Sequence, residues 1–209
     1  MIGKTISHYK IIDKLGEGGM GVVYKAEDTK LDRTIALKFL PPHLTVNEED
    51  KARFLQEAKA AATINHPNVC VIHDIQEYDN QRFIVIEYIE GTTLRAAVGA
   101  TDPVAHNNEF PLNIEEIIDY TIQIAEALKA AHDKGVIHRD IKSDNIMVTN
   151  SGQIKMMDFG LAMIKGAARL TKTSSTVGTL AYSSPEQIQA QNVDARSDIW
   201  SMGVVLFEM

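Results

Sequence analysis

The chain of 209 residues holds one cysteine, Cys70, one tryptophan, Trp200, and only six prolines. A lone cysteine cannot close an internal disulfide, which excludes the stapled secreted mini-domains and predicts a reducing compartment. Excess positive charge is also missing: 28 acidic residues face 21 Lys and Arg, for a net charge of −7. A chain without a basic field has no electrostatic footprint for nucleic acid, so a charge-driven DNA or RNA partner is excluded. No apolar run approaches the roughly 18 residues of a membrane span, and Met1 to Lys10 holds no signal-peptide core. A cytoplasmic globular protein with no membrane segment in this chain is expected; an anchor beyond Met209 is left open. Repeats and low-complexity tracts are absent, and no Cys/His spacing fits a zinc site.

What is present divides into two halves. Tyr9 to Leu15, Val22 to Asp28, Thr34 to Leu40, Val71 to Tyr78 and Arg82 to Tyr88 are short runs rich in Ile, Val, Phe and Tyr, and read as strands. One helix, roughly Glu48 to Ile64, interrupts them and stops before His66-Pro67. Residues 99 to 111 read as a surface loop. From Asn113 the pattern turns helical, with Asn113 and Glu116 spaced as a capping box and apolar residues at helical spacing up to Gly135. Ile146 to Thr149 and Ile154 to Met157 flank Asn150-Ser151-Gly152 as a small hairpin. A strand-rich front and a helical back predict an α+β fold with two lobes: a small antiparallel sheet lobe over 1–86, a connection over 87–91 and a mainly helical lobe over 92–209.

The first chemical signal is Gly16-Glu17-Gly18-Gly19-Met20-Gly21. Glycines at this spacing let backbone N–H groups approach phosphates, and they serve equally well in a plain turn. Val22-Val23-Tyr24 follows, β-branched and aromatic, so the last glycine opens a strand rather than the helix of a dinucleotide fold. GxxxxGK[ST] does not occur in the chain. Along the next strand Ile35, Leu37 and Phe39 face one way, Ala36 and Lys38 the other. On the helix, Phe54, Glu57, Ala61 and Ile64 form one stripe that is apolar except for Glu57. A buried carboxylate is costly without a cation, and Lys38 is the candidate partner. The densest signal is His138-Arg139-Asp140-Ile141-Lys142-Ser143-Asp144-Asn145 between two apolar runs, with Asp158-Phe159-Gly160 thirteen residues after Asn145. Phosphoryl transfer requires oxygen ligands for a divalent cation, a cation on the moving phosphate and a carboxylate for the nucleophile. Asn145 and Asp158 can supply the first, Lys142 the second and Asp140 the third.

These motifs, in this order over nearly the whole chain, resemble the protein kinase superfamily, and the glycine-rich variant most resembles bacterial serine/threonine kinases of the eukaryotic type. The resemblance implies a two-lobed kinase fold acting on ATP with Mg2+. Gly16, Glu17, Gly18, Gly19, Met20 and Gly21 would cover the phosphates, and Val23 and Ala36 would lie above adenine. Lys38 would contact the α- and β-phosphates and pair with Glu57. Ile86 corresponds to the gatekeeper, the backbones of Glu87 and Ile89 to the groups on the adenine edge, and Met147 to the floor of that pocket. Asp140 would accept the proton of the substrate hydroxyl, and Asn145 and Asp158 would hold metal. Lys142, two residues after Asp140, marks serine/threonine specificity for protein substrates. Thr179 before Tyr182-Ser183-Ser184-Pro185-Glu186 would bond to Asp140 and Lys142.

Between Gly160 and Gly178 lie Thr171, Thr173, Ser174, Ser175 and Thr176, beside Lys165, Arg169 and Lys172. Such a segment is either simply flexible or a target of autophosphorylation, with Arg139 as the phosphate's partner and Thr171 and Thr173 favoured by the resemblance. Self-association would accompany the second case. Ser143 stands where the family commonly has proline, and Ser184 where it has alanine; modest effects on loop stiffness are expected. The helix beginning at Asp198-Ile199-Trp200 resembles the central helix of the helical lobe. With the sequence stopping at Met209, a truncated kinase domain of reduced stability is expected, with Glu186 short of its family arginine. Cys70 is expected to fill space, His66, His73 and His132 to be structural or surface groups, and His138 to pack behind the loop. Glu48-Glu49-Asp50 would favour a helix start. A catalytically silent nucleotide-binding module and a small-molecule phosphotransferase are the rival functions; the intact site residues oppose the first and the long segment ending in Ser-Pro-Glu the second.

Overall fold

The computed structural model describes residues 1–18, 21–41, 48–79, 81–99, 112–159 and 180–209. The chain forms two compact units, one of residues 1–62 and 71–88, the other of residues 63–70 and 89–209.

The first unit is built on six antiparallel strands: β1 (Thr5–Ile6), β2 (Tyr9–Gly18), β3 (Gly21–Asp28), β4 (Arg33–Phe39), β5 (Ile72–Tyr78) and β6 (Gln81–Glu87). Their order across the sheet is β1-β2-β3-β4-β6-β5. Alternation along β4 sends Ile35, Leu37 and Phe39 into a core with Ile6, Tyr9, Ile11, Ala26, Phe83 and Val85. Phe39 and Phe83 stack at 4.9 Å between ring centroids, and Tyr24 meets Phe39 edge-on at 5.8 Å. The β3–β4 turn is tied by Asp28, 1% exposed, whose carboxylate accepts the N–H groups of Lys30 and Leu31 at 3.1 and 3.2 Å and faces Arg33 Nε at 3.4 Å. Helix α1 (Glu48–Ala62) buries Phe54, Ala58 and Ala61, and Ile64 just beyond its end is buried too.

In the second unit, β7 (Gly91–Thr93), β8 (Ile146–Thr149) and β9 (Ile154–Met156) form a small antiparallel sheet. Residues 63–70 belong with it because Val69 bridges to Met156, and Asn68 Nδ2 donates to the Ile154 carbonyl at 2.8 Å. Gly91 lies so close to β8 that a Cβ there would fall 2.1 Å from the Val148 carbonyl oxygen. After the short α2 (Leu94–Ala97) comes α3 (Ile114–His132), started by the capping box: Glu116 N–H donates to Asn113 Oδ1 and Asn113 N–H to Glu116 Oε2, both at 2.9 Å. Among the described residues two more helices follow, α4 (Pro185–Ile188) and α5 (Ala195–Glu208). Among the described residues no helix is long and apolar enough to cross a membrane.

Candidate active site

In the first unit the register fixes which residues share a face. Val23 pairs with Lys38 and Lys38 with Ile84, while Ala36 pairs with Ile86. Directly opposed residues lie on one side of an antiparallel sheet. Val23, Ala36, Lys38 and Ile86 therefore share the face opposite the aromatic core. Ala36 and Lys38 are 4% and 5% exposed, so this lysine is buried and not a solvated surface group. Glu57 is half-buried on α1, in the stripe whose other members Phe54, Ala61 and Ile64 are buried. Glu87 N–H donates to the Val71 carbonyl at 2.9 Å.

The glycine-rich turn opens from the β2–β3 ladder, where Gly16 pairs with Val23, Glu17 with Val22 and Gly18 with Gly21. Its glycines have different reasons to be there. Gly21 has φ +106°, and a Cβ at this position would lie 1.8 Å from the Phe39 carbonyl oxygen, so β4 itself forbids a side chain. At Gly16 and Gly18 an added Cβ would meet no described atom within 4 Å. Gly19 and Met20 lie outside the described residues.

The second unit brings Asp140, Lys142 and Asn145 together. Asn145 Nδ2 donates to the Asp140 backbone carbonyl at 2.8 Å and to its Oδ2 at 2.9 Å, and Lys142 Nζ stands 3.8 Å from the same Oδ2. Asp140 and Asn145 are 6% and 7% exposed. Asp158 reaches this loop through the backbone: Met157 N–H donates to the Asn145 carbonyl at 2.9 Å, and the Met157 carbonyl accepts from His138 Nε2 at 2.8 Å. Since a carbonyl only accepts, His138 carries its proton on Nε2. Its Nδ1 then accepts from Asp140 N–H at 3.3 Å. Both ring nitrogens are thus engaged in holding the loop, and the ring packs against Phe159 at 4.5 Å. Asp158 itself adopts φ +64° and Arg139 φ +66°. Met147 is half-buried on β8, in register with Thr93 and Lys155. Ile89 is half-buried just ahead of β7.

Asp198, at the start of α5 and 1% exposed, is a residue whose role the sequence did not reveal. Its Oδ2 accepts His138 N–H and faces His132 Nε2, and its Oδ1 accepts Arg139 N–H, each at 2.8 Å. Gln187 Nε2 meets the other side of the same peptide segment, donating to the Arg139 carbonyl at 2.8 Å. The unusual φ of Arg139 is therefore held from both sides. Glu186 accepts a short hydrogen bond from Ser197 Oγ, which leads in holding its carboxyl below the usual range.

The donor set fits Mg2+, a hard cation that takes one or two protein oxygens and completes its shell with water and phosphate. Both amide hydrogens of Asn145 are committed to Asp140, so its carbonyl oxygen is the atom that could ligate a cation, with Asp158 as a second candidate oxygen donor. Thr171, Thr173, Ser174, Ser175, Thr176 and Thr179 lie outside the described residues.

A protein kinase domain model matches residues 9–209. Over its full length the chain is 44% identical to a probable serine/threonine-protein kinase of Clostridium acetobutylicum and 41% identical to the serine/threonine-protein kinase PrkC of Bacillus subtilis, covering 31% of each. It is 37% identical to the serine/threonine-protein kinase PknB of Mycobacterium leprae over 96% of its length and 32% of that protein. The chain thus spans about a third of the length of the curated relatives it matches. The crystal structure of the Mycobacterium tuberculosis PknI kinase domain superposes with a TM-score of 0.77 at 28% identity, over 99% of this chain and 74% of that one. The conclusion from motif order, fold and sequence kinship is that this chain belongs to the protein kinase domain family.

Proposed function

We propose that the protein transfers the γ-phosphoryl group of ATP to serine and threonine hydroxyls of protein substrates. The observation that carries this reading is the Asp140 carboxylate, fixed by the Asn145 amide at 2.9 Å with the Lys142 ammonium at 3.8 Å. Asp140 accepts the proton of the attacking hydroxyl, and Lys142 sets positive charge against the moving phosphoryl group. Asn145 and Asp158 would hold Mg2+, which would supply positive charge to offset that of the phosphates. Lys38 holds the α- and β-phosphates and is itself oriented by Glu57. The turn Gly16, Glu17, Gly18, Gly19, Met20 and Gly21 presents backbone N–H groups to the phosphates. For adenine the reading assigns Val23, Ala36, Ile86 and the Glu87 backbone from the first unit, and Met147 and the Ile89 backbone from the second.

Lys142 and the kinship with serine/threonine-protein kinases support hydroxyls of Ser and Thr over Tyr. The regulatory part of the reading is autophosphorylation within Thr171, Thr173, Ser174, Ser175 and Thr176, the new phosphate pairing with the Arg139 guanidinium. Incubating the full-length protein with Mg2+, γ-labelled ATP and a generic protein acceptor tests the reaction. Label on serine and threonine after acid hydrolysis is expected; label on tyrosine alone, or none, overturns the reading. Mass spectrometry of the same sample tests regulation, since an active enzyme with an unmodified 171–176 segment contradicts it.

A further inference from the structure

We infer that Ser143 is a positioning residue for the reaction proposed above, acting through Glu208 to fix the loop that carries Asp140, Lys142 and Asn145. The inference rests on that reading of the loop. Ser143 is fully buried, and a buried hydroxyl is retained at little cost only where it finds a partner. Its Oγ donates to Glu208 Oε1 at 2.9 Å, from the last turn of α5. The second oxygen of the same carboxylate accepts the Tyr182 hydroxyl at 2.6 Å, and Ser143 Oγ and Tyr182 Oη lie 3.1 Å apart. Burial, then the bond to Glu208, pushes the Tyr182 hydroxyl pKa above its ordinary value, so it stays a donor. Arg95 completes the cluster, with its guanidinium 3.8 Å from both Glu208 Oε1 and Asp144 Oδ1.

One carboxylate therefore gathers two hydroxyls from segments 39 residues apart, the loop of Asp140 and the stretch leading into α4. Lys142 is extended, with φ −165° and ψ 160°, and Ser143 opens a short 3-10 turn. Serine here gives up the stiffness of a ring and gains a hydroxyl tie. The tie holds the residue that follows Lys142 in the loop, so its effect falls on the placement of Lys142 and Asp140 and not on ATP affinity.

Three single variants of the full-length protein and one double variant test the inference. Ser143→Ala is expected to lower kcat about five- to tenfold with KM for ATP within about twofold. Amide hydrogen exchange over residues 141–145 is expected to rise by a similar factor while the melting temperature stays within a few degrees. Ser143→Pro, which restores stiffness without the hydroxyl, is expected to leave kcat low. Tyr182→Phe is expected to couple, with the double variant losing less than the product of the two single losses. The inference is overturned if Ser143→Ala matches the parent protein in kcat and in exchange, if proline restores both, or if the losses simply multiply. Should the parent protein transfer no phosphoryl group, the function reading fails, and the exchange rates alone decide whether the tie holds the loop.

Discussion

The side-chain amide of Asn145 donates to Asp140 twice, at 2.8 Å to its carbonyl and at 2.9 Å to its carboxylate. One residue thereby sets the rotamer of the candidate base, while its remaining oxygen is the candidate metal ligand. Removing it should cost both functions together. Asn145→Ala is expected to lower kcat by roughly a hundredfold or more and to raise the Mg2+ concentration needed for half-maximal rate. Steady-state rates against Mg2+ check this; a lower kcat with an unchanged Mg2+ dependence would separate the two roles and contradict the ligand assignment.

Asp198 is expected to matter for the fold and not only for the loop. Asp198→Ala leaves the N–H groups of His138 and Arg139 without their buried acceptor, along with the His132 partner. Each lost partner of a buried donor costs about 1–3 kcal/mol. A net loss of about 3 kcal/mol is expected after relaxation, read as a shifted urea midpoint; a change under about 0.5 kcal/mol would show that the loop does not lean on this carboxylate.

The two outer members of the glycine-rich turn are expected to fail differently. Gly21→Ala drives a Cβ to 1.8 Å from the Phe39 carbonyl oxygen at a positive φ, so thermal stability should drop by several degrees. Gly16→Ala meets open space. Its melting temperature should hold while ATP affinity falls about three- to tenfold. Equal melting losses in the two variants would count against the distinction.

Acid should weaken the first unit through Asp28. Burial alone would raise this carboxyl, yet the N–H groups of Lys30 and Leu31 and the Arg33 guanidinium hold it below its usual value. A carboxylate depressed in the folded state stabilises fully above its unfolded pKa of about 3.9, and that share is lost as pH falls through the lower folded value. Asp28→Asn is expected to destabilise by about 1–2 kcal/mol at pH 7 and to flatten the stability curve below about pH 4. A parallel pair of curves for parent and variant would refute the assignment.

Much of this architecture was legible locally. Alternation in 35–39 predicted that Ile35, Leu37 and Phe39 share one side of the strand, the side that proves to face the core, and Asn113 with Glu116 predicted a cap whose two bonds both form. The short strand Gly91–Thr93 was not foreseen, because three residues carry no period and its partner β8 lies more than fifty residues onward. Candidate site residues could be picked out by chemical type and spacing, but the groups that hold them could not. Asp198 is about sixty residues from the peptide segment it fixes, and Gln187 about fifty. Ser143 read as a mild replacement for proline, since a hydroxyl's value depends on Glu208, brought near only by folding. Gly21 read as one more open position for phosphate, and the Phe39 carbonyl that excludes its side chain belongs to another strand.

The proposed function assigns Asp140 to the chemical step and not to nucleotide binding. Comparing Asp140→Asn with the parent protein, by ATP affinity in a calorimeter and by transfer of labelled phosphate to protein, tests it most directly. ATP affinity within about threefold and transfer reduced by at least about a hundredfold are predicted; transfer that survives the substitution at near the parent rate would contradict the account.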